Sequence, residues 1–187
     1  MNSLSTPTIV DFAIQFNPNL DASPGGSDLA ILGNGFFVVR DPETNDIYAT
    51  QGRHFSLDEN GYLVTGTGAR LQGRINGFLS MLGDLQISAG DLPPTSGSPP
   101  ALLCYSIDAW GKITMHLTDG TSFLRGQVML QNFEDPQALI KEGNDLYFNM
   151  AAAGPLPALA PPGSHGLGTI QSEVLEFSRA ESTNWRN

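Results

Sequence analysis

Lysine is almost missing from this chain: only Lys112 and Lys141 occur, and the seven arginines are scattered. Against 19 acidic residues this leaves a net charge of −10. A nucleic-acid partner is therefore not expected, because a phosphate-neutralising surface needs clustered Lys and Arg. Cysteine is equally scarce. Cys104 stands alone, so no internal disulfide and no two-cysteine zinc site can form. It lies in the apolar run Ala101-Leu102-Leu103-Cys104-Tyr105 and reads as a small buried hydrophobe. Long apolar runs are missing too. Nothing approaches the ~20 residues that cross a bilayer as a helix, and no membrane insertion is expected. The opening MNSLSTPTIVDFAIQF carries no basic region and has Asp11 within its apolar part. It makes a poor secretory signal, so any export is expected to proceed without a cleaved hydrophobic leader. Charged residues make up 15% of the chain, well below the usual ~25%.

What the chain does have is glycine, proline and short β-forming runs. The 21 glycines and 13 prolines are spread along its length, which disfavours a helical bundle. Apolar residues reach 40%, too many for a disordered tail. The runs at 36–40, 47–50, 55–57, 62–65, 69–73, 102–107, 113–117, 123–130 and 169–177 read as strands. Asp-Pro at 41–42, Glu-Asn-Gly at 59–61, Gly-Thr-Gly at 66–68, Trp-Gly at 110–111 and Asp-Gly at 119–120 separate them. That rhythm predicts an all-β fold, mainly antiparallel hairpins forming a barrel- or sandwich-like body. One short helix of about two turns is expected near 136–142, with Asp135 as N-cap, Pro136 at the first helical position and Gly143 at C′. Residues 89–100 and 151–168 read as long loops. Ser56-Leu57-Asp58-Glu59-Asn60-Gly61 is echoed 50 residues later by Ser106-Ile107-Asp108-Ala109-Trp110-Gly111. In both copies Asp is placed to bond the turn backbone and Gly to take a positive φ. Two copies do not make a repeat protein. They predict two similar hairpins.

Candidate chemistry is thin. Gly33-Asn34-Gly35 invites a dinucleotide-loop reading, but Val38 stands where the third glycine is required and strand formers follow. A tight turn into a buried strand fits better. His54, Ser56 and Asp58 have the residue types of a hydrolase triad, yet along one strand such neighbours lie about 6.5 Å apart, against contacts near ~3 Å in a working triad. His116 and His165 read as surface or loop histidines. Asp58-Glu59-Asn60-Gly61 starts like a calcium loop, but after Glu59 the next acid is Asp84, too far for the closing bidentate ligand. Glu173 and Glu176, three apart in a strand, point to opposite faces. No cofactor, no metal and no enzymatic constellation is expected.

Residues 28–39, DLAILGNGFFVV, closely resemble the start of the β domain of bacterial flagellar hook and basal-body rod proteins, a D-[LV]-A-I-x-G-x-G-F-F-x-V pattern. Gly33, Gly35, Phe36 and Phe37 carry it. The stretch Tyr48 to Val64 is similar to the family's Y-T-R-x-G-x-F-x-x-D-x-x-G-x-L-V, with Ala49 and Gln51 as variants and Asp58 and Gly61 in place. Gly73 closes the next matching strand. Asp108 and Gly111 resemble the second hairpin. Gly126 to Phe133, then Asp135-Pro136, Gly143-Asn144-Asp145-Leu146-Tyr147, Gly166 to Ile170 and Leu175 to Ser178 are similar to the closing motifs.

The resemblance implies a structural, non-catalytic axial subunit of the flagellar basal body or hook, packing against like subunits and other axial proteins. It covers residues 28–178 as one β domain, with 1–27 as an irregular arm and 179–187 as a short tail. Family members begin and end with paired assembly helices. Pro7, Pro18 and Pro24 break the arm, and the tail is short. The chain is thus expected to be a trimmed piece or a stand-alone relative, monomeric or weakly associating in isolation. Only 33 residues separate Gly73 from Ile107, too few for the extra domain that hook subunits carry there, so the spacing is rod-type. The alternative is a stand-alone β module that binds a protein or glycan, with Trp110 at a turn tip as the contact residue.

Overall fold

The computed structural model describes residues 27–75, 77–87, 100, 102–156, 159–172 and 175–176. The arm before Ser27, the loop at 89–99, Glu173, Phe177, Ser178 and the tail at 179–187 lie outside the described residues. The first seven strands are β1 (Ser27–Leu32), β2 (Phe36–Arg40), β3 (Ile47–Thr50), β4 (His54–Leu57), β5 (Leu63–Val64), β6 (Arg70–Ile75) and β7 (Met81–Asp84). They are followed by β8 (Leu102–Ile107), β9 (Lys112–Leu117), β10 (Ser122–Val128) and β11 (Leu130–Gln131). The last four are β12 (Ile140–Gly143), β13 (Leu146–Phe148), β14 (Thr169–Ser172) and β15 (Leu175–Glu176). The fold is all-β as expected, and the described ladders are antiparallel. They form one open, branched network along the path β12-β13-β3-β2-β6-β10-β9-β8-β15.

β6 is the junction of this network. Its first residues pair with β2 (Arg40↔Arg70) and β5 (Val64↔Arg70). Its later residues pair with β7 and β10, with Gly73 opposite both Gly83 and Val128. The two halves of the chain therefore share one strand. The C-terminal region closes back on the start, where β14 pairs with β1 (Ile31↔Ile170) and the Ile170 N–H donates to the Ala109 carbonyl at 2.9 Å.

β2 is buried on both faces, which is why FFVVR reads as an unbroken apolar run. Phe37 and Val39 point into the main core with Leu29, Phe55, Leu71, Met115 and Val128. The Phe37 and Phe55 rings meet edge-to-face at 5.3 Å. Phe36 points the other way, into a second cluster with Ala49, Phe133, Leu139 and Ala153. Its ring stands 5.5 Å from Phe133 and 6.0 Å from Tyr147, again edge-on.

Two local expectations are corrected. The helix over 136–142 is a single 3-10 turn, Pro136–Ala138. Asp135 does cap it, accepting from the Gln137 N–H at 3.1 Å. The chain then leaves the helical region at Leu139 (φ −65°, ψ 134°), because Leu139 is drawn into the second cluster and 140–143 pair with β13. Gly143 (φ +126°) opens the β12–β13 turn and is not a helix C′ residue. Cys104 is half-buried, not a core residue. A register shift between Leu102 and Cys104 puts Cys104 opposite His116 and turns Tyr105 inward.

Candidate functional site

The two echoed hairpins are built alike. Asp58 Oδ1 accepts from the Asn60 and Tyr62 backbone N–H groups at 2.9 and 2.8 Å. Asp108 Oδ1 accepts from Trp110 and Lys112 at 2.9 and 2.8 Å. In each turn the glycine N–H donates to the aspartate carbonyl at 2.9 Å. Gly61 and Gly111 have φ of +81° and +77°, the left-handed position of a three-residue hairpin loop. Each carboxylate is thus engaged by the backbone, and a calcium-loop role is not needed to explain Asp58.

A second group of motif glycines allows close approach. A Cβ on Gly126 would stand 2.7 Å from the Arg74 carbonyl, and one on Gly73 would meet Leu85 at 2.8 Å. Leu85 covers both. Gly33 (φ +120°) lies against Gly168, and a Cβ on Gly35 (φ +123°) would fall 2.9 Å from Leu167. The Gly33-Asn34-Gly35 segment is therefore the seam between β1–β2 and the approach to β14. Phe133 and Leu146 are buried, and Tyr147 is half-buried beside them. Pro136 is exposed.

Trp110, at the β8–β9 turn, is 59% exposed. Its ring flanks the 162–163 turn, where a Cβ on Gly163 would come 3.5 Å from its Cδ1. Its backbone carbonyl accepts from Gln127 Nε2 at 2.9 Å.

The residues of the nominal triad are not brought together. His54 Nδ1 lies 2.6 Å from Asp28 Oδ1 on β1, at the exposed surface. Ser106 Oγ and His116 Nε2 lie 3.0 Å apart across β8–β9, a pair that the sequence reading did not make. Counting back from the Asp108 turn would have placed them on one face.

The sequence also concealed a charged cluster. Asp84 receives Arg40 Nε on Oδ1 at 3.0 Å and Arg40 Nη2 on Oδ2. Gln72 Nε2 donates at 2.8 Å and Arg70 Nη1 at 3.1 Å. The Arg70 guanidinium lies 3.9 Å over the Tyr62 ring. Burial acts to raise the Asp84 pKa, but the donors from Arg40, Gln72 and Arg70 outweigh it and hold the carboxyl below its ordinary value. The same Asp84 bond holds the Arg40 guanidinium above its usual pKa. Arg40, Tyr62, Gln72 and Asp84 border a groove of about 670 Å³ with Leu82, Gln86 and Arg125.

Comparison with known proteins places these features. Residues 30–115 match the family described as the flagellar hook protein FlgE/F/G D1 domain, a span that contains both Asp-Gly hairpins. The flagellar basal-body rod protein FlgG of Buchnera aphidicola subsp. Baizongia pistaciae is 33% identical over 161 residues, 86% of this chain and 53% of that protein. FlgG of Bacillus subtilis is 30% identical over 158 residues, 84% of this chain and 52% of that protein. The flagellar hook protein FlgE of Brucella abortus is 39% identical over 72 residues, 38% of this chain and 18% of that protein. The chain spans about half the length of the rod proteins it matches. With its all-β body and its ordered hairpin motifs, this chain is similar to the flagellar basal-body rod and hook proteins, and residues 30–115 carry the likeness to their D1 domain.

Proposed function

We propose that this chain provides the β body of a structural subunit of the flagellar rod or hook axis, acting by packing against like subunits and other axial proteins and not by catalysis. The observation that carries the reading is the run of turn and seam residues from Gly33 to Gly126, in family order, within and just beyond the span of the D1 match. Those residues are spent on backbone geometry, as a scaffold requires. The short spacing from Gly73 to Ile107 supports a rod-type over a hook-type subunit. Residues 28–178 act as one β domain, and the site of action is the flagellar basal body or hook. Deleting the gene in its host tests this. Motility should be lost and should return with the full reading frame. Normal swimming after deletion would remove the proposal.

A second reading rests on Trp110, whose exposed ring suits a protein or glycan contact. A glycan array and an envelope pull-down, each with a Trp110→Ala control, separate it from the first.

A further inference from the structure

The Asp84 cluster belongs to a wider surface whose sign is opposite to that of the chain. By strand alternation Arg70, Gln72 and Arg74 share the outward face of β6, while Leu71 and Gly73 face the core. Arg40 joins that face through its register with Arg70, and Leu82 and Asp84 join it through theirs with Arg74 and Gln72. Three guanidiniums thus share one face with one carboxylate in a protein of net charge −10. Arg40 and Arg70 are both bound to Asp84. Arg74 is half-buried and has no acid within ion-pair distance among the described residues. Apolar side chains border the same hairpin: Leu82 is 57% exposed, Met81 59% and Phe78 93%. Among the described residues β7 pairs only with β6, so its outer edge is open at Met81–Gly83. An exposed apolar rim around a cationic groove marks an interaction surface.

A complementary feature lies at the opposite end of β2. Arg40 closes one end of that strand, while at the other end Phe36 pairs with Gln131 of β11. The chain continues from β11 through Phe133 to Glu134 and Asp135, both exposed. Their backbone N–H groups donate to the Gly154 and Ala153 carbonyls at 2.9 and 3.0 Å, which fixes the turn. No Lys or Arg lies between Gln131 and Ile140.

We propose that the outward face of β6–β7, including Arg74 near the end of β6, receives the Glu134–Asp135 turn of a second copy of this chain. The inference rests on the assembly role proposed above and names the surface that performs it. Because the two patches differ and sit at opposite ends of one strand, the contact is head-to-tail, and each copy keeps one patch free for a further copy until the series closes on itself. Its strength comes largely from charge, so it is weak in isolation and sensitive to salt.

Sedimentation velocity of the 187-residue chain over a concentration series tests the contact, with Arg74→Glu, Glu134→Lys and the double variant alongside. Self-association should be measurable at about 0.02 M salt and fall by about tenfold or more at about 0.5 M. Each single variant should weaken it by about tenfold, and the double variant, which restores opposite charges, should return to within about threefold of the parent. Glu134 is exposed, so its variant reports on the contact even if Arg74→Glu folds poorly. A chain that stays monomeric at low salt overturns the proposal, as does association indifferent to either variant. A double variant that does not recover, while its circular dichroism matches the parent, overturns the pairing of these two patches. Rescue of a deletion strain's motility by the Arg74→Glu chain would overturn the contact and leave the assembly role standing. Full motility without the gene would overturn the role itself.

Discussion

At the scale of single residues, the motif positions divide by the physical demand each meets. Phe37 is fully buried and stacks edge-on against Phe55. Phe37→Ala should cost about 3–5 kcal/mol, read as a lower midpoint in urea, and an unchanged midpoint would remove Phe37 from the core. Gly126 meets a different demand, because any Cβ there collides with the Arg74 carbonyl. Gly126→Ala should therefore cost about 1–3 kcal/mol by overpacking, although its φ lies outside the left-handed region. Asp84 meets a third. Its carboxyl is held below the ordinary pKa by Arg40, Gln72 and Arg70, so the folded state binds its proton less readily than the unfolded chain does. The stability this supplies is complete above the unfolded value near ~4 and is lost as pH falls through the lower folded value. Asp84→Asn should destabilise the protein by about 1–3 kcal/mol at neutral pH. The gap between variant and parent should hold steady above about pH 5 and narrow below about pH 4. Urea titrations at pH 7, 4 and 3 check this, and a gap that widens in acid would contradict the assignment.

At the scale of elements, the hairpins whose turns carry Asp and Gly at fixed offsets were legible in the sequence. β3 and β8 run as read, and β4, β9 and β10 shift by a residue or two. Four elements were not legible. β7 (MLGD) and β12 (IKEG) have no alternating pattern because their side chains are largely exposed. β1 and β13 were recognised as motifs but not as strands. What makes them strands is a distant partner, β14 for β1 and β3 for β13, and local propensity does not encode such pairings. The same cause shortened the expected helix, since Leu139 and Ile140 gain more from the second cluster and from β13 than two marginal helical turns provide. Asp84 was invisible as a centre because Arg40 and Asp84 lie 44 residues apart. The echoed turns allow a controlled comparison. Asp58→Ala and Asp108→Ala each remove two bonds to backbone N–H groups, and each should cost about 1–2 kcal/mol. Because the two turns are built alike, their costs should agree within about 0.5 kcal/mol. A large disparity would show that one turn is held by something other than its aspartate.

At the scale of the whole molecule, the likeness to the D1 domain covers residues 30–115, but the buried core extends further in both directions. Leu29 precedes that span, and Val128, Met129, Leu130 and Ile170 follow it, all buried in the core. The strand connectivity sharpens the point. A chain ending at residue 115 would keep most of β9 and lose β10, which pairs with both β9 and β6. It would also lose β11, the partner of β2 at Phe36 and Phe37, and β14, the partner of β1. Phe37 would then face an incomplete core, and β6, the junction of both halves, would have a bare edge. An excised 30–115 fragment should therefore show no cooperative unfolding transition and poorly dispersed amide resonances. A 27–176 piece should unfold in one transition that coincides by fluorescence and circular dichroism. Phe37→Ala and Met115→Ala, from opposite halves, should then lower that single midpoint together and not split it, since both side chains belong to one core. Two separated transitions would mean that the halves fold independently despite the shared strand. The sequence likeness would then mark a true structural boundary near residue 115, and the role of β6 as the link between the halves would fall.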